Sequence, residues 1–378
     1  MKILHIAPNA YPFVGGIEVI LKFLSKTEHE LGRNELVIAF PDRSHVFSGN
    51  FEVEKTRIIP LQVLKPKQSI HFFPKPKYSP GEIVQIFSNY RALIAKESPD
   101  IIHLHDYSEA SMPAISVGNA LGVPIVQHLH SLIDESYPRD LISNFKNLEH
   151  FICVSLAVKN SLDLALGYES GAQVLPNSIP PKVWSDSRNP RRKNHILMVG
   201  RCVPSKGFDI GIKVLENLRT DGVSASLEII GNGPSLGTLI ATSRHSGSDK
   251  YIHFAKMKTR EEIFESMLRA SVMLIPSQSK EGFSLVALEA AMCELPVVAT
   301  NIGGLPETVS DQVTGFIVEA TDIADMTEKV KLILSDPELA ENMGKAARIR
   351  HQSEYNYDQY IEKLNTIYSN VISSQKIG

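Results

Sequence analysis

Short apolar runs alternate with stretches of helical period along nearly the whole chain. Lys2 to Ala7, Glu35 to Phe40 and Val53 to Leu61 read as strands, while Ile17 to Leu31 carries apolar residues at helical spacing and stops at Gly32. Gly81 to Ala95 reads as a second amphipathic helix, closed by Pro99 ahead of a strand from Ile101 to His105. A helix to Leu121, strands at Pro124 to Leu129 and Phe151 to Val154, and a helix that Ser155 can cap continue the alternation. The pattern lapses over Pro180 to Asn194 and then restarts. Strands are predicted at Ile196 to Val199, Ser226 to Ile230, Ile252 to Ala255, Val272 to Ile275, Leu295 to Ala299 and Gly315 to Val318. The last helix, Asp358 to Ile372, presents Tyr360, Ile361, Leu364, Ile367, Tyr368 and Val371 on one broad apolar face, so it must dock. Alternating strands and helices imply parallel sheets covered on both faces. The expected class is α/β, with two doubly wound domains at 1–185 and 186–355 and a terminal helix at 356–378 returning to the first. Ligand sites belong at the carboxyl ends of the strands.

Composition narrows the function classes. A chain of 378 residues exceeds what one core usually serves, and 43% hydrophobic with 21% charged residues is ordinary for a soluble globular protein. A net charge of −3 argues against general nucleic-acid binding. No apolar run approaches the roughly 18 residues of a membrane span, and no signal peptide is read, so a cytoplasmic protein is expected. Cys153, Cys202 and Cys293 are scattered among apolar residues, which suits reduced core thiols. The stretch 64–80, LKPKQSIHFFPKPKYSP, interleaves lysines, prolines and aromatics. A solvated loop is the plainer reading, and peripheral contact with an anionic membrane face or an acidic acceptor is the alternative.

The chemistry concentrates in IPSQSKEGFSLVALEAAMC, where strand, loop and helix succeed one another. Glu281 and Glu289 lie eight residues apart, a helical rise of about 12 Å. That is the reach of a nucleotide diphosphate sugar from ribose to hexose. Gly282, Phe283 and Ser284 lie between them, where free backbone N–H groups at a helix start favour an anion. In GRCVPSKG, Arg201 and Lys206 leave the end of a strand as two cations able to neutralise a diphosphate. Near the amino terminus Gly15 and Gly16 precede a helix in a second phosphate-compatible loop. No D-x-D occurs in the sequence, so the common carboxylate pair for a catalytic metal is missing. His103, His105, His128 and His130 form two H-x-H pairs at neighbouring strand ends, a spacing that can bind zinc. No carboxylate pattern completes such a site, and no metal is expected. His103 and His128 are expected to be packed and hydrogen-bonded.

Taken in order, VGRCVPSKGFDIGIKVL, LEIIGNGP and PSQSKEGFSLVALEAAMCELPVVATNIGGLPETVSDQVTGFIV resemble the retaining glycosyltransferases of family 4. The resemblance covers most of the C-terminal half. The N-terminal half is similar more loosely, through its first strand and glycine loop, DIIHLHD, and VSLAVKNSL followed by LPNSIP. It implies a GT-B fold, two Rossmann-like domains facing across a cleft. It also implies Glu289 on the donor ribose, Glu281 near the transferred hexose, and backbone groups of Gly282, Phe283, Ser284 and Leu285 on phosphates and sugar. Arg201 and Lys206 would grip the diphosphate and Gly16 would approach it from the other domain. Gly231, Gly233 and Met257 would lie near the nucleotide, His130 beside the acceptor and the moving sugar, and His105 is expected to line the acceptor side. The chain departs from the family pattern at Ser178, Lys256, Ser284 and Glu294, where glycine is usual; none of these removes a charged functional group.

The expected activity is therefore a metal-independent, retaining transfer of a hexose-type sugar from a nucleotide diphosphate sugar to a hydroxyl acceptor. No separate cofactor is needed, and the acceptor is expected to be a carbohydrate or glycolipid of cell-surface polysaccharide synthesis. A nucleotide-sugar epimerase or hydrolase on the same scaffold, and a non-catalytic nucleotide-sugar-binding protein, are the alternatives. A dehydrogenase lacks its dinucleotide fingerprint.

Overall fold

The computed structural model describes residues 1–10, 15–42, 49–62, 79–105, 107–108, 111–135, 137, 139–181, 191–255, 257–279 and 281–375. It divides into two compact units, Met1–Ile179 with Asp358–Gly378, and Pro180–Tyr357.

In the first unit β1 (Lys2–Ile6) leads to α1 (Gly16–Leu31), β2 (Glu35–Asp42), β3 (Phe51–Val53), β4 (Thr56–Gln62) and α2 (Pro80–Glu97). β5 (Ile101–Leu104), α3 (Pro113–Ala120), β6 (Ile125–Leu129), α4 (Arg139–Phe145), β7 (Phe151–Cys153), α5 (Leu156–Leu166) and β8 (Gln173–Val174) follow. The helices start and stop for local reasons. Ser79 and Glu82 form a reciprocal capping box on α2, Ser155 accepts from the N–H of Val158 on α5, and Gly32 ends α1 in the left-handed conformation. The sheet runs β3-β4-β2-β1-β5-β6-β7-β8. Strand order reverses between β1 and β5, which pair in parallel with His5 beside His103.

One expectation fails here. The single strand read from Val53 to Leu61 is a hairpin, β3 against β4, turning through Glu54 and Lys55, both at positive φ. Neither residue is the glycine or asparagine that normally marks such a turn, so no local signal announced it. The stretch at 64–78 lies outside the described residues.

The second unit holds β9 (His195–Val199), α6 (Phe208–Thr220), β10 (Ser226–Ile230), α7 (Leu236–Ser246), β11 (Ile252–Ala255) and α8 (Arg260–Arg269). β12 (Val272–Ile275), α9 (Leu285–Met292), β13 (Val297–Thr300), α10 (Leu305–Thr308), β14 (Gly315–Val318), α11 (Ile323–Ser335) and α12 (Pro337–Glu354) complete it. Its sheet is wholly parallel in the order β11-β10-β9-β12-β13-β14. In the unit's own numbering this is 3-2-1-4-5-6, so the switch point lies between β9 and β12. The core beneath is aliphatic, with Ile196, Met198, Leu215, Leu227, Ile229 and Leu274 buried together.

The last helix, α13 (Tyr357–Gln375), packs on the first unit. Tyr360, Ile361, Leu364, Ile367, Tyr368 and Val371 are all buried. Its polar anchor is Asn365, which accepts from Asn34 at 2.7 Å and donates to Glu28 at 2.9 Å. Among the described residues no helix is long and apolar enough to cross a membrane.

Candidate active site

Two loops leave the second sheet at its switch point. One follows β9 and carries Arg201 and Lys206; the other follows β12 and carries Glu281. Lys206 Nζ donates to Glu281 Oε2 at 2.5 Å, and Ser277 Oγ donates to the same oxygen at 2.9 Å. The backbone N–H of Gln278 donates to the carbonyl of Ser205, tying the loops together. Gly207 permits this approach: its φ is +63°, and a Cβ there would stand 2.0 Å from the carbonyl oxygen of Pro276. Residues 75 positions apart in sequence thus share one corner. Arg201 is exposed beside them.

The Glu281 loop ends at α9. Ser284 is its N-cap, accepting from the N–H of Ala287, and Leu285 opens the helix. Gly282, Phe283 and Ser284 therefore stand at the positive end of a helix, where backbone N–H groups attract anions. Phe283 is fixed edge-on against Tyr355. Glu289 lies one turn further along, buried and ion-paired with Arg260 of α8. Burial raises its pKa above the ordinary glutamate value, and Arg260 opposes that rise. Gly231 and Gly233 turn against the β9 loop, where a Cβ at either would meet the carbonyl oxygen of Gly200 or Cys202 at 1.9 and 2.4 Å. Met257 is exposed past the end of β11.

In the first unit Gly16 is exposed at the start of α1. His130 belongs to a larger cluster than the sequence suggested. His5, His103, His105, His128 and His130 come from the ends of β1, β5 and β6, on one sheet face, with neighbouring ring centroids 4.0 to 5.5 Å apart. Burial holds all five well below the usual histidine pKa, His5 and His130 at about 3, so the rings are neutral. His105 is 3% exposed and hydrogen-bonds both its neighbours, His5 and His130.

Sequence reading missed His5, Ser277 and Arg260. A histidine inside the apolar first strand was a signal available for His5. Nothing local marked Arg260, since its partner Glu289 comes from another helix; Ser277 stands only four residues before its partner Glu281, in the same loop. The three cysteines are buried and unpaired with one another, and burial lifts the Cys153 thiol to about 12. A cavity of about 530 Å³ in the second unit, bordered by Arg191, Asn194 and Ser271, lies at the amino ends of the strands, away from these loops.

Comparison with known proteins gives the family. Residues 14–183 match the model described as Glycosyltransferase Family 4, and residues 184–350 the model for Glycosyl transferases group 1. The chain belongs to glycosyltransferase family 4. An uncharacterized glycosyltransferase of Methanocaldococcus jannaschii is 25% identical over 366 residues, covering 95% of each chain. A GDP-mannose-dependent phosphatidylinositol monomannoside mannosyltransferase of Mycolicibacterium smegmatis is 36% identical over 159 residues, covering 40% of this chain and 42% of its own. The crystal structure of Anabaena HepE with UDP-glucose superposes at a TM-score of 0.75 with 17% identity, over 99% of this chain and all of that one. The fold is GT-B, and the enzyme is a glycosyltransferase.

Proposed function

We propose that this glycosyltransferase moves a hexose-type sugar, with retention and without a metal, from a nucleotide diphosphate sugar to a hydroxyl acceptor. The observation that carries this reading is the meeting of Lys206 with Glu281 at the switch point, directly ahead of the α9 N-terminus. A diphosphate laid there meets two cations, Arg201 and Lys206, and the backbone N–H groups of Gly282, Phe283, Ser284 and Leu285. Charge grows on the leaving phosphate as the glycosidic bond breaks, so these groups stabilise the transition state more than the ground state. The absence of D-x-D supports protein cations in place of a metal.

Glu289 takes the ribose hydroxyls and Glu281 the hexose, with Gly231, Gly233 and Met257 toward the base. Gly16 is the first unit's candidate for the same diphosphate. His130 polarises the sugar, and the departing phosphate oxygen accepts the acceptor's proton on the face it leaves. The mannosyltransferase relative acts on a lipid-borne acceptor, which supports a glycolipid or glycan acceptor on a cell-surface route. A cytoplasmic placement with residues 64–80 against the inner membrane face fits such an acceptor.

Steady-state kinetics with a donor panel tests the reading. Arg201→Ala and Lys206→Ala should each lower kcat about 30-fold or more, a loss of about 2 kcal/mol, and Glu289→Ala should weaken donor binding about tenfold. Turnover within about threefold of wild type in both cation variants would remove the diphosphate assignment. Release of free epimer or bulk hydrolysis with acceptor present would replace transfer with the corresponding reaction.

A further inference from the structure

The five histidines form two hydrogen-bonded chains. In one, His5 Nδ1 meets His105 Nε2 at 2.9 Å, and His105 Nδ1 meets His130 Nε2 at 2.9 Å. In the other, the Tyr368 hydroxyl of α13 meets His103 Nδ1 at 2.6 Å, and His103 Nε2 meets His128 Nδ1 at 3.2 Å. Rings of the two chains stack, His103 on His105 at 4.0 Å. A neutral imidazole has one N–H and one lone pair, so the direction of one bond fixes every other bond in its chain.

The buried end of the first chain sets that direction. Among the described residues nothing meets His5 Nε2, and His5 is fully buried. If protons pointed from His130 toward His5, Nε2 would be a buried N–H with no acceptor. If they point toward His130, it is only a bare lone pair. Buried orphan donors are rarer than under-satisfied acceptors. The chain therefore runs from His5 Nδ1–H to His105 Nε2, and from His105 Nδ1–H to His130 Nε2. That leaves His130 Nδ1–H, for which no described residue is a hydrogen-bond partner.

We propose that His5 and His105 are positioning residues that hold His130 as the Nδ1–H tautomer, so that it gives a hydrogen bond to the transferred sugar. The sugar contact rests on the function proposed above; the tautomer does not. A consequence is that His130 acts as a fixed donor, its lone pair already taken by His105.

A metal ion is the competing occupant. Ligand nitrogens of His5, His103 and His105, and of His105, His128 and His130, lie within 4.8 Å of one another. Neither triad contains a carboxylate, and five neutral rings supply no charge to offset a buried dication. Most of the lone pairs are also engaged by neighbouring rings at hydrogen-bond distance.

Long-range proton–nitrogen spectra of the full chain labelled with 15N-histidine test the proposal, with His130 assigned through His130→Gln. The expected result is one tautomer for His130, with Nδ1 carrying the proton and Nε2 bare. His105→Phe should average the two nitrogens and lower kcat about tenfold or more, with the donor KM within about threefold. His105→Asn, whose side-chain amide can stand near the Nδ1 position, should recover both the tautomer and most of kcat; thermal melts establish that the variants fold. Protonation of His130 at Nε2, averaged shifts in the wild type, or equal losses in the Phe and Asn variants would overturn the proposal. Stoichiometric zinc or copper surviving dialysis against chelator would also overturn it, because ligation would consume the lone pairs. If His130→Ala kept full turnover while the tautomer held, the sugar contact would fall and the hydrogen-bonded chain would stand.

Discussion

Gly207 shows how much of the site hangs on one backbone position. It combines a left-handed φ with a 2.0 Å approach between its missing Cβ and the Pro276 carbonyl oxygen. Gly207→Ala therefore pays for strain and forces the β9 and β12 loops apart. A loss of about 1–3 kcal/mol in urea unfolding is expected, with donor affinity falling alongside; an unchanged midpoint would contradict the close approach. Glu281 and Lys206 were both legible in the sequence, as a charged residue after each of two strands. Their direct bond was not, because strand order decides which loops become neighbours. The same holds for Glu289, whose spacing from Glu281 is a property of the chain while its partner Arg260 comes from another helix.

At the level of elements, β1, β5 and β6 deliver their histidines to one face because alternate residues of a strand share a face and the three strands are adjacent. The H-x-H pairs were visible in sequence; that β1 lies beside β5 was not, and His5 went unread. The folded pKa values lie below the unfolded value of 6.5, so below that pH the unfolded chain binds protons that the folded chain refuses. Stability is complete above pH 6.5 and is lost as pH falls toward about 3, at a limiting slope of about 1.4 kcal/mol per pH unit for each histidine. Urea titrations of the first unit from pH 7 to pH 5 should show this fall, and His5→Phe should flatten it. A midpoint independent of pH in that window would mean that the rings are solvated. The hairpin of β3 and β4 carries the opposite lesson, since its turn uses Glu54 and Lys55 where glycine or asparagine would have announced it.

For the molecule as a whole, donor binding and metal independence make one joint prediction. A nucleotide diphosphate sugar at 100 times its Kd should stabilise the unit that binds it by about 2.7 kcal/mol, and the resulting rise in Tm should persist in chelator, as should turnover. Loss of both in chelator, restored by a divalent ion, would place a metal at the diphosphate. The sequence by itself determined the α/β class, most strand and helix positions, the glutamate pair, the two cations and the family, because periodicity, capping and motif spacing are local properties of a chain. Tertiary structure alone decided which local features meet. Strand order in the second sheet set the β9 loop against the β12 loop, and in the first it set His5 against His103 and His105. Parallel pairing joins segments far apart in sequence, so the contacts that make a site there leave no mark on either segment alone.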